Sequence, residues 1–184
     1  MNASTVRNLV VQTLIGKTDA QSRIYSPRDW STRGDDYPCI LVQTPFDHKK
    51  SLGRNVPQFH TVTTVRITGR IEEFDGDIDN GAEQAELALE ALREQIERAV
   101  INSYELTQVI QQYAEIRSQI DIDASGESHF AQLLMDIDIE YYQGEEDFYP
   151  IETHPLDGID VTVAMPAHTP EPKIRLIWSK PHVC

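Results

Sequence analysis

Between residues 118 and 172 the chain contains no lysine and no arginine, against thirteen acidic residues. A stretch without cations cannot form the concentrated basic footprint that grips a phosphate backbone. Cysteine is almost as scarce. Cys39 and Cys184 are the only two, too few for a disulfide framework or a cysteine metal site. No apolar run approaches the ~20 residues of a membrane-spanning helix. The first residues, "MNASTVRNLVVQTLIGKT", have only Arg7 before a short apolar stretch and no small-residue cleavage site. No secretory signal is therefore expected, and the cytoplasm is the expected compartment. "LIGKT" lacks the first glycine of a phosphate-binding loop, since position 11 is valine. It reads as the end of a helix, stopped at Gly16.

What is present is acid, unevenly placed. The 184 residues carry a net charge of −14, with 40% hydrophobic and 25% charged residues, an ordinary globular composition that suits one domain with an extension. Residues 1–70 balance at +5, residues 71–117 at −9, residues 118–172 at −13, and the last twelve at +3. One reading is a solvated acidic surface that serves solubility. The other is that basic and acidic portions of the chain meet in neighbouring copies.

Hydrophobic spacing predicts a first helix over residues 4–15, capped by Ser4 or Thr5, with Val6, Leu9, Val10 and Leu14 as its apolar stripe. Residues 19–38 are turn-rich. "CILVQTPF" (39–46) is a short strand, "DHKKSLGRNVP" a basic loop, and residues 58–73 a long alternating strand. On that strand Thr61, Thr63, Val65, Ile67, Gly69 and Ile71 form the face that can pack on a core. The opposite face carries His60, Val62, Thr64, Arg66, Thr68 and Arg70. Residues 81–101 form a second helix, and 104–113 a short third. Two further alternating strands follow, 116–123 and 128–142. This order, α-β-β-α-β-β, predicts an α+β fold: an antiparallel four-stranded sheet with helices packed on one face. The core spans residues 1–142. Residues 143–184 hold six of the ten prolines and form a C-terminal β arm or hairpin.

The search for chemistry predicts no catalytic, cofactor or metal site. Ser125 in "DASGESH" lacks the glycine before the nucleophile of a hydrolase elbow. The six histidines are scattered, without close pairing. Asp75, Asp77, Asp79 and Glu86 have the spacing of a calcium loop, but the required glycine arrives one residue late, as Gly81. Asn80 with Glu83 offers a helix capping box there instead. Strand alternation places Arg66 and Arg70 on the same sheet face as Asp136, Asp138 and Glu140. Trp30 and Trp178 can anchor a core or an interface.

In order and type of element, residues 1–142 resemble the tail terminator (tail completion) proteins of long-tailed bacteriophages, the group that includes the phage lambda minor tail protein U. The resemblance lies in the N-terminal helix followed by "RIYSPRDWSTRGDDYPCILVQTP", then the basic loop and "FHTVTTVRITGRIE". "DNGAEQAELALEALREQIERAV" and "LLMDIDIEYY" complete it. It implies a virion structural protein and not an enzyme. Such a protein forms a homo-hexameric ring that caps the tail tube, stops its polymerisation and docks the head–tail connector. It assembles in the bacterial host cytoplasm, and DNA passes its lumen without specific binding. The candidate interface or lumen residues are then Arg66, Arg70, Lys49, Lys50, Arg54, Asp136, Asp138, Glu140 and Trp178. The alternatives are a monomeric acidic calcium-binding or regulatory module, or another ring of the phage neck.

Overall fold

The computed structural model describes residues 1–26, 37–55, 57–74, 80–123, 128–149, 159–162 and 173–176. The first helix, α1, is Ala3–Leu14. Its cap is Asn2, not Ser4 or Thr5: Asn2 is extended, and its side chain accepts from the Thr5 N–H at 2.9 Å. Val6, Val10 and Leu14 recur every fourth residue and are fully buried. Gly16 then takes φ +71°, the left-handed conformation that ends a helix cheaply only at glycine. The second helix, α2, is Gly81–Ile101. Ala85, Leu89, Leu92, Ile96, Ala99 and Val100 form its buried stripe. The expected Asn80/Glu83 capping box is not made, because the Asn80 side chain forms no cap hydrogen bond.

The strands are β1 (Ile24–Tyr25), β2 (Cys39–Ser51), β3 (Phe59–Phe74), β4 (Gln112–Asp123) and β5 (Ser128–Gln143). They lie side by side in the order β1-β2-β3-β5-β4. The fold is α+β, as read from the sequence, but the sheet is five-stranded and mixed, not four-stranded and antiparallel. The fifth strand, β1, runs parallel to β2, with Ile24 beside Ile40 and Tyr25 beside Leu41. Two residues are too short for a period to show. What places them is burial of Ala20 and Ile24 and the bond from the Ile40 N–H to the Arg23 carbonyl.

Two other expectations shift for the same reason, that a strand already begun recruits its neighbours. The basic loop is half strand: β2 continues through Ser51, each residue paired with β3 after a bulge between Gln43 and Phe46 that absorbs Pro45. The third helix, α3, is one turn, Tyr104–Thr107. Residues 112–115 join β4 instead, because sixteen-residue β5 offers them partners. Tyr113 remains anchored to α2 by donating its hydroxyl to the Val100 carbonyl at 2.8 Å.

One cluster holds the helices to one side of the sheet. It joins the α1 and α2 stripes to Val65, Ile67 and Ile71 of β3 and to Leu133, Met135, Ile137, Ile139 and Tyr141 of β5. Each fully buried side chain of this size contributes about 1.5–3 kcal/mol. That outweighs any single polar contact on the other side, where a cross-strand pair contributes about 0.2–1 kcal/mol. Gly69 sits under α2, where an added Cβ would lie 2.8 Å from Leu92 Cδ2.

The chain divides into two compact units, Met1–Tyr149 and Pro150–Cys184. The first includes a 3₁₀ turn, Glu145–Asp147. The Met1 amine bonds the Asp147 carboxylate, and the Phe148 ring meets Phe59 edge-on with centroids 5.5 Å apart. In the second unit β6 (Ile159–Thr162) and β7 (Lys173–Leu176) pair as an antiparallel two-stranded sheet.

Candidate interface on the polar face of the sheet

Register decides which charges meet. β3 and β5 pair without interruption, so Arg66 is directly opposite Asp136, Thr64 opposite Asp138 and Arg70 opposite Gln132. Arg66 donates Nε and Nη2 to the two oxygens of Asp136, each at 2.8 Å, the fork geometry that suits a guanidinium to a carboxylate. Hydrogen bonding to Asp136 raises the Arg66 pKa above its usual value. Partial desolvation opposes the rise and the carboxylate charge adds to it. Asp138 accepts from the Thr64 hydroxyl on one oxygen and from Arg117 Nη2 on the other, at 3.1 Å. Glu140 takes Gln112 Nε2 at 2.6 Å and lies 3.3 Å from His60 Nδ1. Arg70 donates Nε to Gln132 at 3.0 Å.

The structure therefore brings Arg66, Asp136, Asp138 and Glu140 onto one face, where Arg66 pairs with Asp136 and Asp138 pairs with Arg117 instead of Arg70. Arg70 shares the face but meets Gln132. Lys50 lies opposite His60 on that same face. Lys49 is on the helix side, where it bonds Gln143 and lies 2.8 Å from Asp47. Arg54 is exposed in the connection from β2 to β3. Trp178, Trp30 and the Asp75–Asp79 part of the calcium-like loop lie outside the described residues. Among the described residues, no three His, Cys, Asp or Glu side chains converge as a metal site.

Sequence reasoning missed two contributors. Arg117 supplies the second cation, and its position in "IRSQIDID" follows from the same alternation that placed Arg66. Phe46 is 63% exposed; it borders a shallow groove of about 410 Å³ with Arg117, Gln119, Leu134 and Asp136. Nothing local signals it, because the bulge after Gln43 decides its face.

On the helix side, buried polar groups form a second network. Thr61 donates to Gln143 Oε1 at 2.8 Å, and Lys49 donates to the same oxygen. Gln143 Nε2 donates to the Met1 carbonyl. Thr63 donates to Asp47 at 2.6 Å and touches the Tyr141 hydroxyl at 3.0 Å. Burial raises the Tyr141 pKa; the Thr63 hydrogen bond works against this, and the Asp47 charge adds to it.

Across both faces Asp47, Asp136, Asp138 and Glu140 are met by cations, hydroxyls or amides. That arrangement fixes strand register and leaves a patterned polar surface. No protein-family model matches the chain, and no curated protein matches it.

Proposed function

We propose that this chain is a ring-forming virion structural protein, a tail terminator that caps a phage tail tube, stops its polymerisation and joins it to the head connector. The observation that carries the reading is the segregation of charge onto different surfaces. His48, Lys49, Lys50 and Arg54 cluster, exposed, at the far end of the β2–β3 hairpin. Glu83, Glu86, Glu90 and Glu94 line the outside of α2, whereas on the sheet's polar face Asp136 and Asp138 are already met by Arg66 and Arg117. A ring needs two unlike patches, one meeting the other on the next copy. Opposite charge on the two would orient the encounter and fix its register. The resemblance in order and type of element supports the same reading. So does the acidic balance, since an acidic lumen lets DNA pass without adhering.

The test is light scattering with negative-stain imaging of the purified chain, alone and with tail tubes. A hexamer-sized ring that binds tube ends and arrests their growth is the expected result. A chain that stays monomeric with and without tubes would sink the reading and favour the acidic module. A ring that binds only the connector would assign it to another layer of the neck.

A further inference from the structure

Among the described residues β4 is an edge strand: it runs twelve residues and pairs there only with β5. Exposed edges are usually kept short, broken by proline, studded with lysine or twisted by a bulge. Residues 112–123 contain no proline and no lysine. The one bulge, between Tyr113 and Glu115, lies near the start and leaves residues 116–122 regular. Ile116, Ile120 and Ile122 face the helix side of the sheet but are only partly buried. Arg117, Gln119 and Asp121 are exposed on the polar face. Among the described residues Asp121 receives a single hydrogen bond, from Gln119 Nε2 at 2.8 Å.

This pattern is complementary to itself. When two such strands run antiparallel about Gln119, Arg117 of each falls opposite Asp121 of the other. Ile116 falls opposite Ile122, and Ser118 opposite Ile120. Charge meets opposite charge on one face, and on the other isoleucines meet isoleucines at the ends with a small serine at the centre. The like-charge pairing, Glu115 opposite Asp123, falls at the ends, and Glu115 already has Arg117 at 3.7 Å. We propose that two copies of this chain join edge to edge through β4, antiparallel, with Gln119 on the two-fold axis. The contact covers the open edge and merges two five-stranded sheets into one. Being two-fold, it closes on a pair. It is separate from the head-to-tail contact of a ring and does not rest on the tail reading.

The test uses the full chain carrying Cys184→Ser and Gln119→Cys. Directly opposed residues of an antiparallel pair have Cα atoms about 4.5–5.5 Å apart, within the roughly 4.4–6.8 Å a disulfide spans. Mild oxidation is expected to convert most of the chain to a covalent dimer with an unchanged circular-dichroism melt. Arg117→Cys alone and Asp121→Cys alone, four residues out of register with themselves, should not cross-link, whereas a mixture of the two should. Without the introduced cysteines, Arg117→Asp or Asp121→Arg should each lower the dimer fraction several-fold in sedimentation, and the double exchange should restore it. A Gln119→Cys chain that stays monomeric under oxidation overturns the proposal, as does equal cross-linking of all the single cysteines or failure of the double exchange to rescue. Rings without the Gln119 cross-link would overturn this pairing and leave the tail reading standing. Cross-linked pairs that never form rings would do the reverse.

Discussion

Arg66 and Asp136 stand directly opposite each other on β3 and β5 and join through two contacts of 2.8 Å. The pair is partly exposed, with side-chain accessibilities of 31% and 17%, so solvent screens it. A double-mutant cycle with Arg66→Ala and Asp136→Ala should give a coupling of about 0.5–1 kcal/mol in urea unfolding. It should shrink in molar salt. Arg66→Lys should lose most of it, because an ammonium cannot reproduce the fork. A coupling near zero at low salt would mean the pair only decorates a register set by the core.

Gln143 ties together three distant segments, through Thr61 on β3, Lys49 on β2 and the Met1 carbonyl. Thr61 is fully buried, so losing its acceptor strands a hydroxyl in the core. Gln143→Ala should destabilise the first unit by about 2–3 kcal/mol, read from the urea midpoint at unchanged slope. Thr61→Val in the same background should recover part of that loss, since it removes the stranded group.

At Gly69 the spacing to Leu92 leaves no room for a methyl group. Gly69→Ala should cost about 1–3 kcal/mol through overpacking. The Leu92 terminus is side chain, not backbone, and can give way. Combined with Leu92→Val, the two changes should therefore cost less than their separate effects added together.

Much of this architecture was legible in the sequence, and the reasons differ by element. The period of two in residues 60–71 and 133–141 set which residues face the helices, because one register slip would put every isoleucine in water. Arg66 and Asp136 follow from that period once the strands are neighbours. The sequence could not show their one-to-one register, which long-range pairing of β3 with β5 fixes. β1 was not legible because two residues have no period, and residues 108–113 read as helix because Val109, Ile110 and Tyr113 fit either pattern. Of these, Gln112 and Tyr113 were drawn into β4 by vacant partners on β5.

Alkaline stability should follow the buried tyrosines. Burial raises the pKa of Tyr113, and that of Tyr141, above the usual value. Below about pH 10 both folded and unfolded tyrosines are protonated and nothing is lost. Above it the unfolded chain releases protons that the folded chain keeps, so stability falls as pH rises, until the raised folded values are passed. Tyr113→Phe removes one such group. Its stability should decline less steeply than the parent's between pH 10 and 11.5 in urea titrations, from a lower starting value because the bond to Val100 is gone. Parallel declines would rule out Tyr113 as a source of the effect.

The last prediction concerns residues 150–184. The first unit ends at Tyr149 with its core assembled and the Asp147 and Phe148 contacts in place. A chain ending at Tyr149 should therefore fold with the melting temperature of the full chain's first unit, whereas one ending at Tyr142 should lose the Gln143 network and melt lower. The described residues of the second unit form a two-stranded sheet, and two strands alone are only marginally stable in water. Such strands are stabilised by adding to a partner's sheet edge or surface. On the proposed tail-terminator reading, the Tyr149 truncation should thus keep its fold yet lose ring formation or tube binding. Retention of both activities by the truncated chain would assign residues 150–184 no part in assembly. Unfolding of the Tyr149 chain would show that the first unit needs those residues to close its core.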